Sequence, residues 1–237
     1  MEAAAPIIDR TNDAAGGSFE DPGMATTPVV WLASRSPRRR ELLNEHGVQH
    51  AFDTPGFDDA DLAPGRVTPA QWVAALAYLK AAAGVARGAS IPGVRVVLGA
   101  DTACVKDGRL IGTPRDAGEA GAMIRSLSGG THAVVTGVSM IDVRTGRRTL
   151  FAETATVRVG ALPDTEIDAY VASGGWEGKA GGYNLRERLD AGWPIEYEGD
   201  PTTIMGLPMS AVMRRLERMG LVEGRRGPVG VEDGGER

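Results

Sequence analysis

Two long stretches of alternating apolar and polar residues constrain the fold of this chain more than any other feature. They cover residues 131–143 and 147–159, and the short turn sequence Arg144-Thr145-Gly146 separates them. A period of two is typical of strands with one face toward a core, and the glycine-containing turn predicts a hairpin. A long antiparallel pair favours a mixed sheet over a doubly wound parallel one.

Local signals predict helices and strands along the rest of the chain. Thr68-Pro69-Ala70-Gln71 is a capping box with proline at the first helical position. The glycine-rich region 174–201 is too long for an ordinary connection, so we expect a functional loop there. The other predicted elements are strands over residues 29–34 and 94–100, an apolar segment over 48–54, a hairpin tip at 106–108, and helices over residues 37–46, 69–85, 116–127, 163–172 and 209–219. This order predicts an α/β fold with a mixed, partly antiparallel sheet flanked by helices.

Composition bounds the number of domains and the class of partner. The 237 residues suffice for one α/β domain or two small ones, and a net charge of −5 gives no electrostatic footprint for a nucleic-acid polymer. No segment reaches the 18 apolar residues of a membrane span, and the single cysteine, Cys104, fits a reducing compartment. The cytoplasm is therefore the expected location.

Residues 1–27 and 223–237 lack apolar periodicity, so we expect flexible tails around one domain over residues 28–222.

The strongest chemical signal lies where the first predicted strand meets the first predicted helix. Residues 33–40 read Ala-Ser-Arg-Ser-Pro-Arg-Arg-Arg. A helix N-terminus presents unpaired N–H groups and the positive end of a dipole, and arginine forks bind phosphate oxygens in pairs. The segment therefore predicts a phosphate site, with solvated arginines on a capped helix as the alternative.

A second signal is a carboxylate next to the predicted strand over residues 94–100. Asp101 follows that strand, and in α/β enzymes bases and metal ligands commonly stand where strands end. If Asp101 binds a Mg²⁺ ion, the acidic cluster Asp58, Asp59 and Asp61 could give a second carboxylate to that ion. Alternatively, Asp101 only starts a turn. No histidine or cysteine grouping has zinc spacing, and we expect His132 to pair within the hairpin.

Taken in order, several segments resemble the Maf family of nucleotide pyrophosphatases. The resembling segments span roughly residues 29–220 and are residues 33–39, 79–81, 99–102, 127–129, 132, 136–138, 179–183 and 206–208. The resemblance implies an elongated, two-lobed fold like that of inosine triphosphate pyrophosphatases, with a central cleft. It also implies hydrolysis of nucleoside triphosphates to the monophosphate and pyrophosphate with Mg²⁺ or Mn²⁺ as cofactor.

The resemblance also implies roles for individual residues. Asp101 would be the general base or a metal ligand, and Asp59, where the family commonly has glutamate, would assist the metal. The phosphates would be held by Ser34, Arg38, Arg39 and Lys80. Arg38 and Thr102 match the subgroup that acts on dTTP and UTP rather than the one that prefers 7-methyl-GTP.

Two positions depart from the family pattern. Arg186 stands where the family often has glutamine, and Thr113 stands where it usually has lysine. Arg186, Arg115 or Lys106 would have to replace that cation. These departures leave an alternative open, namely a nucleotide-binding regulatory or division-inhibiting protein with little or no turnover. The resemblance implies a nucleoside triphosphate as partner and leaves a homodimer open, because family members can be dimeric.

Overall fold

The computed structural model describes residues 27–57 and 62–223. The predicted tails lie outside these ranges except for Thr27 and Glu223. The strands described are β1 (Val30–Ala33), β2 (His50–Asp53), β3 (Val96–Lys106), β4 (Arg109–Ile111), β5 (Thr131–Asp142), β6 (Arg148–Val159) and β7 (Ile195–Glu198). The helices are α1 (Pro37–Glu45), α2 (Pro69–Ala89), α3 (Ala117–Leu127), α4 (Asp164–Ala172), α5 (Leu185–Asp190), α6 (Pro201–Ile204) and α7 (Met209–Arg218).

All of these strands join one mixed sheet with the order β2-β1-β3-β5-β6-β7, and β4 also pairs with β3. Strand β1 runs parallel to β2 and β3, while the other pairings are antiparallel. The predicted hairpin is confirmed, with Thr131 opposite Arg158 at one end of the β5–β6 ladder and Ile141 opposite Arg148 at the other. The expected mixed sheet flanked by helices is therefore confirmed.

Strand β3 is paired unevenly on its two edges. One edge pairs with β5 from Val96 through Val105, without interruption. The other edge pairs with β1 as far as Leu98 and with β4 from Cys104 onward. Among the described residues, positions 99–103 therefore have no strand beside them on that edge. Ser36, shortly after β1, and Thr113, shortly after β4, line one cavity together with Asp101 and Thr102 of this stretch.

The predicted end of the strand at residue 100 is wrong, because β3 continues to Lys106. Apolar character fades after Ala100, but the ladder with β5 keeps the backbone extended. Asp101 therefore lies in the middle of a strand, at the gap, rather than after a strand end.

Helix α2 packs unusually close to the sheet. It begins with the predicted capping box, since Thr68 and Gln71 bond to each other's backbone N–H groups, and it extends to Ala89. A Cβ on Gly99 would lie 2.3 Å from the carbonyl oxygen of Ala77, and one on Gly137 would lie 2.4 Å from the nitrogen of Ala74. Only glycine permits this approach.

Two hydrophobic cores lie on either side of the gap. One contains Leu98 and Ala100 of β3 together with residues of α1 and α7. The other contains Cys104 of β3 together with residues of α3, α4 and β7. The gap thus falls where the two cores meet, as expected for two lobes with a cleft between them. Within residues 27–57 and 62–223, no helix combines the length and apolar character needed to cross a membrane.

The glycine-rich region 174–201 does not form the long loop that the sequence predicts. This region contains a short 3-10 turn (Ala180–Gly182), the helix α5 and the edge strand β7. Asn184 caps α5 by accepting a hydrogen bond from the Glu187 nitrogen, and β7 completes its ladder on β6. Elements of six residues or fewer leave little periodicity to detect.

Candidate functional site

A cavity of about 210 Å³ lies at the gap in the β3 edge. Its polar lining comes from separate elements that the fold brings together. Ser36 is the N-cap of α1, so the N-terminus of that helix faces the cavity. The charged and hydroxyl side chains that line it include Arg38, Arg39, Lys80, Asp101, Thr102 and Thr113. The structure therefore brings together five of the residues predicted for the site.

Lys80 and Asp101 form an ion pair within this cavity. The Nζ atom of Lys80 lies 2.6 Å from Oδ1 of Asp101, and both side chains are only 15% exposed. Lys80 comes from α2 and Asp101 from the face of β3 that α2 covers. At this depth the pair is shielded from solvent, and its hydrogen bond is charge-assisted. A carboxylate and an ammonium group are thus held together where the sheet edge is open.

Arg39 donates hydrogen bonds to three groups, two of which come from distant parts of the chain. Its Nε donates to the carbonyl oxygen of Gly206 at 2.8 Å. Its Nη1 donates to Oγ of Ser34 at 3.1 Å, and its Nη2 donates to Oγ1 of Thr102 at 3.3 Å. Ser34 also accepts a hydrogen bond from the Ser36 nitrogen. The guanidinium plane is therefore oriented by the protein before any ligand binds.

A second hollow of about 450 Å³ adjoins the cavity and shares Arg39 and Lys80 with it. Ser34 and Arg35 also line this hollow, together with residues 54–57. Its described lining carries three cationic side chains and no carboxylate. The hollow is suited to a strongly anionic group.

A third hollow of about 550 Å³ adjoins the cavity on the other side and shares Ser36, Arg38 and Asn184 with it. Both signs of charge are present in its lining, which includes Glu41, Glu177, Lys179, Arg186, Glu187 and Asp190. Such a mixture of donors and acceptors is suited to a polar, uncharged group rather than to a chain of phosphates.

Arg186 does not line the cavity, and among the described residues predicted for the site it shares a hollow only with Arg38. It lines the third hollow and forms a two-pronged ion pair with Glu45, at 2.8 and 3.3 Å. The hydrogen bond from Arg186 lowers the pKa of Glu45 and raises that of Arg186 itself. The pair links α1 to α5 at the rim of this hollow.

Arg115 and Lys106 are the other two candidates to replace the lysine that the family usually has at position 113. Neither of them lines the cavity. Arg115 forms an ion pair with Glu119 at 3.0 Å, and the Lys106 ammonium donates to the carbonyl oxygen of Ser126. Thr113 itself does line the cavity. Asp59 lies outside the described residues, and within those residues no group of three potential metal ligands occurs.

His132 lies opposite Val157 in the β5–β6 ladder, but its side chain does not find its partner within the hairpin, so the expected pairing is wrong for the side chain. Its Nε2 lies 2.8 Å from the hydroxyl of Tyr183, which comes from the region after α4. Burial lowers the pKa of His132 to about 4, so the ring is neutral near pH 7. Burial also raises the pKa of the Cys104 thiol to about 12, so this thiol stays protonated near pH 7.

Two contributors to the site received no role from the sequence, although both lie in segments that resemble the family. One is the backbone carbonyl of Gly206, which orients Arg39. The other is Thr136, a fully buried residue of β5 whose hydroxyl meets that of Thr102 at 2.9 Å. The segment 136–138 contributed to the family resemblance, but residue type alone did not give Thr136 a role.

Comparison with known proteins finds a matching family model, similar relatives and a similar solved structure. A family model described as "Maf-like protein" matches residues 29–219. A dTTP/UTP pyrophosphatase of Syntrophotalea carbinolica is 40% identical over 193 residues, which cover 81% of this chain and 86% of the relative. A dTTP/UTP pyrophosphatase of Pelotomaculum thermopropionicum is 39% identical, covering 81% of this chain and 96% of the relative. A solved structure from Mycobacterium abscessus, a nucleoside-triphosphatase / dITP/XTP pyrophosphatase, matches at 16% identity and a TM-score of 0.34, covering 56% of this chain and 75% of that one.

Proposed function

This chain belongs to the Maf family, and on that premise we propose that it is a nucleoside triphosphate pyrophosphatase. The reaction is hydrolysis of a (d)NTP to the (d)NMP and pyrophosphate, with dTTP, UTP or a related modified pyrimidine nucleotide as substrate. The names of the relatives support both the reaction and the bases. The extent of the family match, residues 29–219, supports one catalytic domain over residues 28–222.

One structural observation carries the proposal. The Lys80–Asp101 pair stands in a cavity between a cationic hollow and a hollow of mixed charge. The charge along a nucleoside triphosphate is distributed in the same way, because its β- and γ-phosphates are anionic and its nucleoside is polar but uncharged. We therefore place the β- and γ-phosphates among Arg35, Arg39 and Lys80. The α-phosphate then falls beside Asp101, and the nucleoside lies toward Arg38.

The chemistry follows from this placement. A water molecule attacks the α-phosphorus, a new P–O bond forms and the bond to the bridging oxygen of the β-phosphate breaks. Asp101 accepts a proton from the attacking water, while Lys80 shifts its hydrogen bond toward the phosphates. The pyrophosphate leaves with the electron pair of the broken bond. Arg39, Arg35 and Lys80 stabilise that charge in a site already oriented for it.

The residues present fit a divalent cation such as Mg²⁺ or Mn²⁺. Magnesium is commonly held by one or two carboxylates together with substrate phosphate oxygens, so it does not need a cage of protein ligands. Asp101 would supply one carboxylate, and Asp59 is the proposed second ligand. When bound, such an ion supplies Lewis-acid stabilisation of charge on the phosphate oxygens.

The experiment that tests the proposal is pyrophosphate release from a panel of normal and modified nucleoside triphosphates, with Mg²⁺ or Mn²⁺. We expect metal-dependent turnover that falls at least about 100-fold in Asp101→Asn, the usual cost of losing a general base. The matched control is Asp107→Asn, which makes the same change at an exposed hairpin residue and should leave turnover unchanged.

Two results would overturn the proposal. Turnover of Asp101→Asn within about tenfold of wild type would remove Asp101 from the chemistry. No release from any triphosphate, while the folded protein still binds nucleotide, would favour the regulatory alternative.

A further inference from the structure

We propose that Thr136 is a positioning residue for Arg39 and acts through the hydroxyl of Thr102. The inference rests on the proposed function, because it concerns the cation that holds the phosphates. Thr136 lies on β5 directly opposite Thr102 on β3, and its side chain is fully buried. It touches no cavity described above, so any effect on the substrate must pass through a neighbour.

The hydrogen bonds among these groups have only one consistent direction. A carbonyl oxygen cannot donate, so the 2.8 Å bond from Thr136 to the Thr203 carbonyl uses the only hydroxyl proton of Thr136. The 2.9 Å contact between Thr102 and Thr136 must then be donated by Thr102. That bond in turn uses the only hydroxyl proton of Thr102.

Toward Arg39, the Thr102 hydroxyl oxygen therefore presents only lone pairs and no proton. Arginine has donors but no acceptors, so Nη2 of Arg39, at 3.3 Å, meets the partner that it requires. In this state Thr102 has no proton to offer to a phosphate oxygen. Thr102 thus acts on the substrate by orienting Arg39, and the buried Thr136 hydroxyl fixes that orientation.

Removing the Thr136 hydroxyl would disturb this arrangement in a defined way. The Thr102 proton would lose its inward acceptor, and the hydroxyl would then be free to rotate toward the cavity. Arg39 would keep its bonds to Ser34 and Gly206 but lose the fixed acceptor for Nη2. Small misplacements of a binding cation can cost up to about 100-fold in rate.

The test compares Thr136→Val, which keeps the side-chain shape and removes the hydroxyl, with Thr136→Ser, which restores the hydroxyl. The chain offers a matched control in Thr203, whose buried Oγ1 has no hydrogen-bond partner within the described residues. Thr203→Val therefore makes the same chemical change next to the network without breaking it. The readouts are the calorimetric Kd for pyrophosphate, KM and kcat for the best triphosphate, and the thermal midpoint.

We expect Thr136→Val to raise the pyrophosphate Kd and KM about tenfold, with a smaller change in kcat. Thr136→Ser should recover to within about twofold, and Thr203→Val should stay within about twofold of wild type. If Thr136 acts through Thr102, adding Thr136→Val to Thr102→Val should cost little more than Thr102→Val alone.

Three results would overturn the inference. One is an unchanged Kd and KM in Thr136→Val with only a lower thermal midpoint, and another is additive losses in the double variant. The third is an equal loss in Thr203→Val. If Thr136→Val prevents folding, Thr136→Ala also removes the hydroxyl and allows the same comparison with Thr136→Ser. Pyrophosphate binding needs no turnover, so a wild-type protein without activity would refute the proposed function and still leave this test intact.

Discussion

Substituting Gly99 by alanine should lift α2 from the sheet and separate Lys80 from Asp101. Gly99 lies two residues before Asp101 on the same face of β3. A Cβ there would lie 2.3 Å from the Ala77 carbonyl oxygen and 2.7 Å from the Ala81 nitrogen. Both atoms are backbone of α2, and Lys80 lies between them in the helix. No side chain can rotate away to relieve this contact, so the helix itself must move.

The size of the effect follows from these distances. Ordinary contact begins near 3.4 Å, so α2 must shift by about 1 Å. Overpacking of this kind costs about 1–3 kcal/mol of unfolding free energy, which corresponds to a fall of roughly 2–12 °C in Tm for a domain of this size. A similar lengthening of the 2.6 Å contact between Lys80 and Asp101 should lower kcat/KM about 10- to 100-fold.

Thermal unfolding and pyrophosphate release measure the two consequences separately. Gly112→Ala is the control for stability, because a Cβ at Gly112 meets no atom within 4 Å and the backbone there is not left-handed. The reasoning is refuted if Gly99→Ala keeps Tm within about 1 °C and kcat/KM within about twofold of wild type.

Three further predictions concern residues around the cavity. Arg186→Gln breaks the pair with Glu45 and should change the ratio of kcat/KM values among dTTP, UTP, CTP and GTP; identical ratios would contradict a role in base preference. Thr113→Lys adds a cation to the cavity lining and should lower KM several-fold at low ionic strength, whereas an unchanged KM would mean that another group already fills this role. His132→Gln should flatten the pH dependence of stability. Burial lowers the pKa of His132 to about 4, while the unfolded histidine binds its proton near pH 6.5, so this group removes up to about 3 kcal/mol as the pH falls between those values. Urea unfolding at pH 7, 5 and 4 measures this loss, and parallel profiles for wild type and variant would rule it out.

The elements predicted from the sequence are those whose signals are local. The capping box at Thr68 starts α2, and Asp116 caps α3 by accepting from the Glu119 nitrogen. The turn at Lys106-Asp107-Gly108, which the sequence marks as a hairpin tip, joins β3 to β4, with Asp107 and Gly108 both at positive φ. In each case the residues that specify the structure lie within four positions of one another, so the element can be recognised from a single sequence.

The features that the sequence did not predict depend on contacts between distant segments. The length of β3 is set by its ladder with β5, some 40 positions away, and not by its own apolar run. His132 finds its partner 51 positions away in Tyr183. Family resemblance supplied Lys80, Arg39 and Asp101 for the site, but it did not supply the hydrogen bonds that orient them.

The gap in the β3 edge explains how two cations from different layers reach one cavity. Successive residues of a strand face opposite sides of a sheet, so Asp101 faces α2 and Thr102 faces α1. In the middle of a fully paired sheet, backbone and neighbouring strands would separate the two faces. Here the pairing of β3 with β1 ends at Leu98, and its pairing with β4 starts only at Cys104. Lys80 from one face and Arg39 from the other therefore both border the same opening. Because β5 pairs along the opposite edge without a break, the segment that carries Asp101 and Thr102 remains a hydrogen-bonded strand despite the opening. A site on a rigid strand holds its groups more accurately than a loop would, and an in-line attack at phosphorus depends on that accuracy.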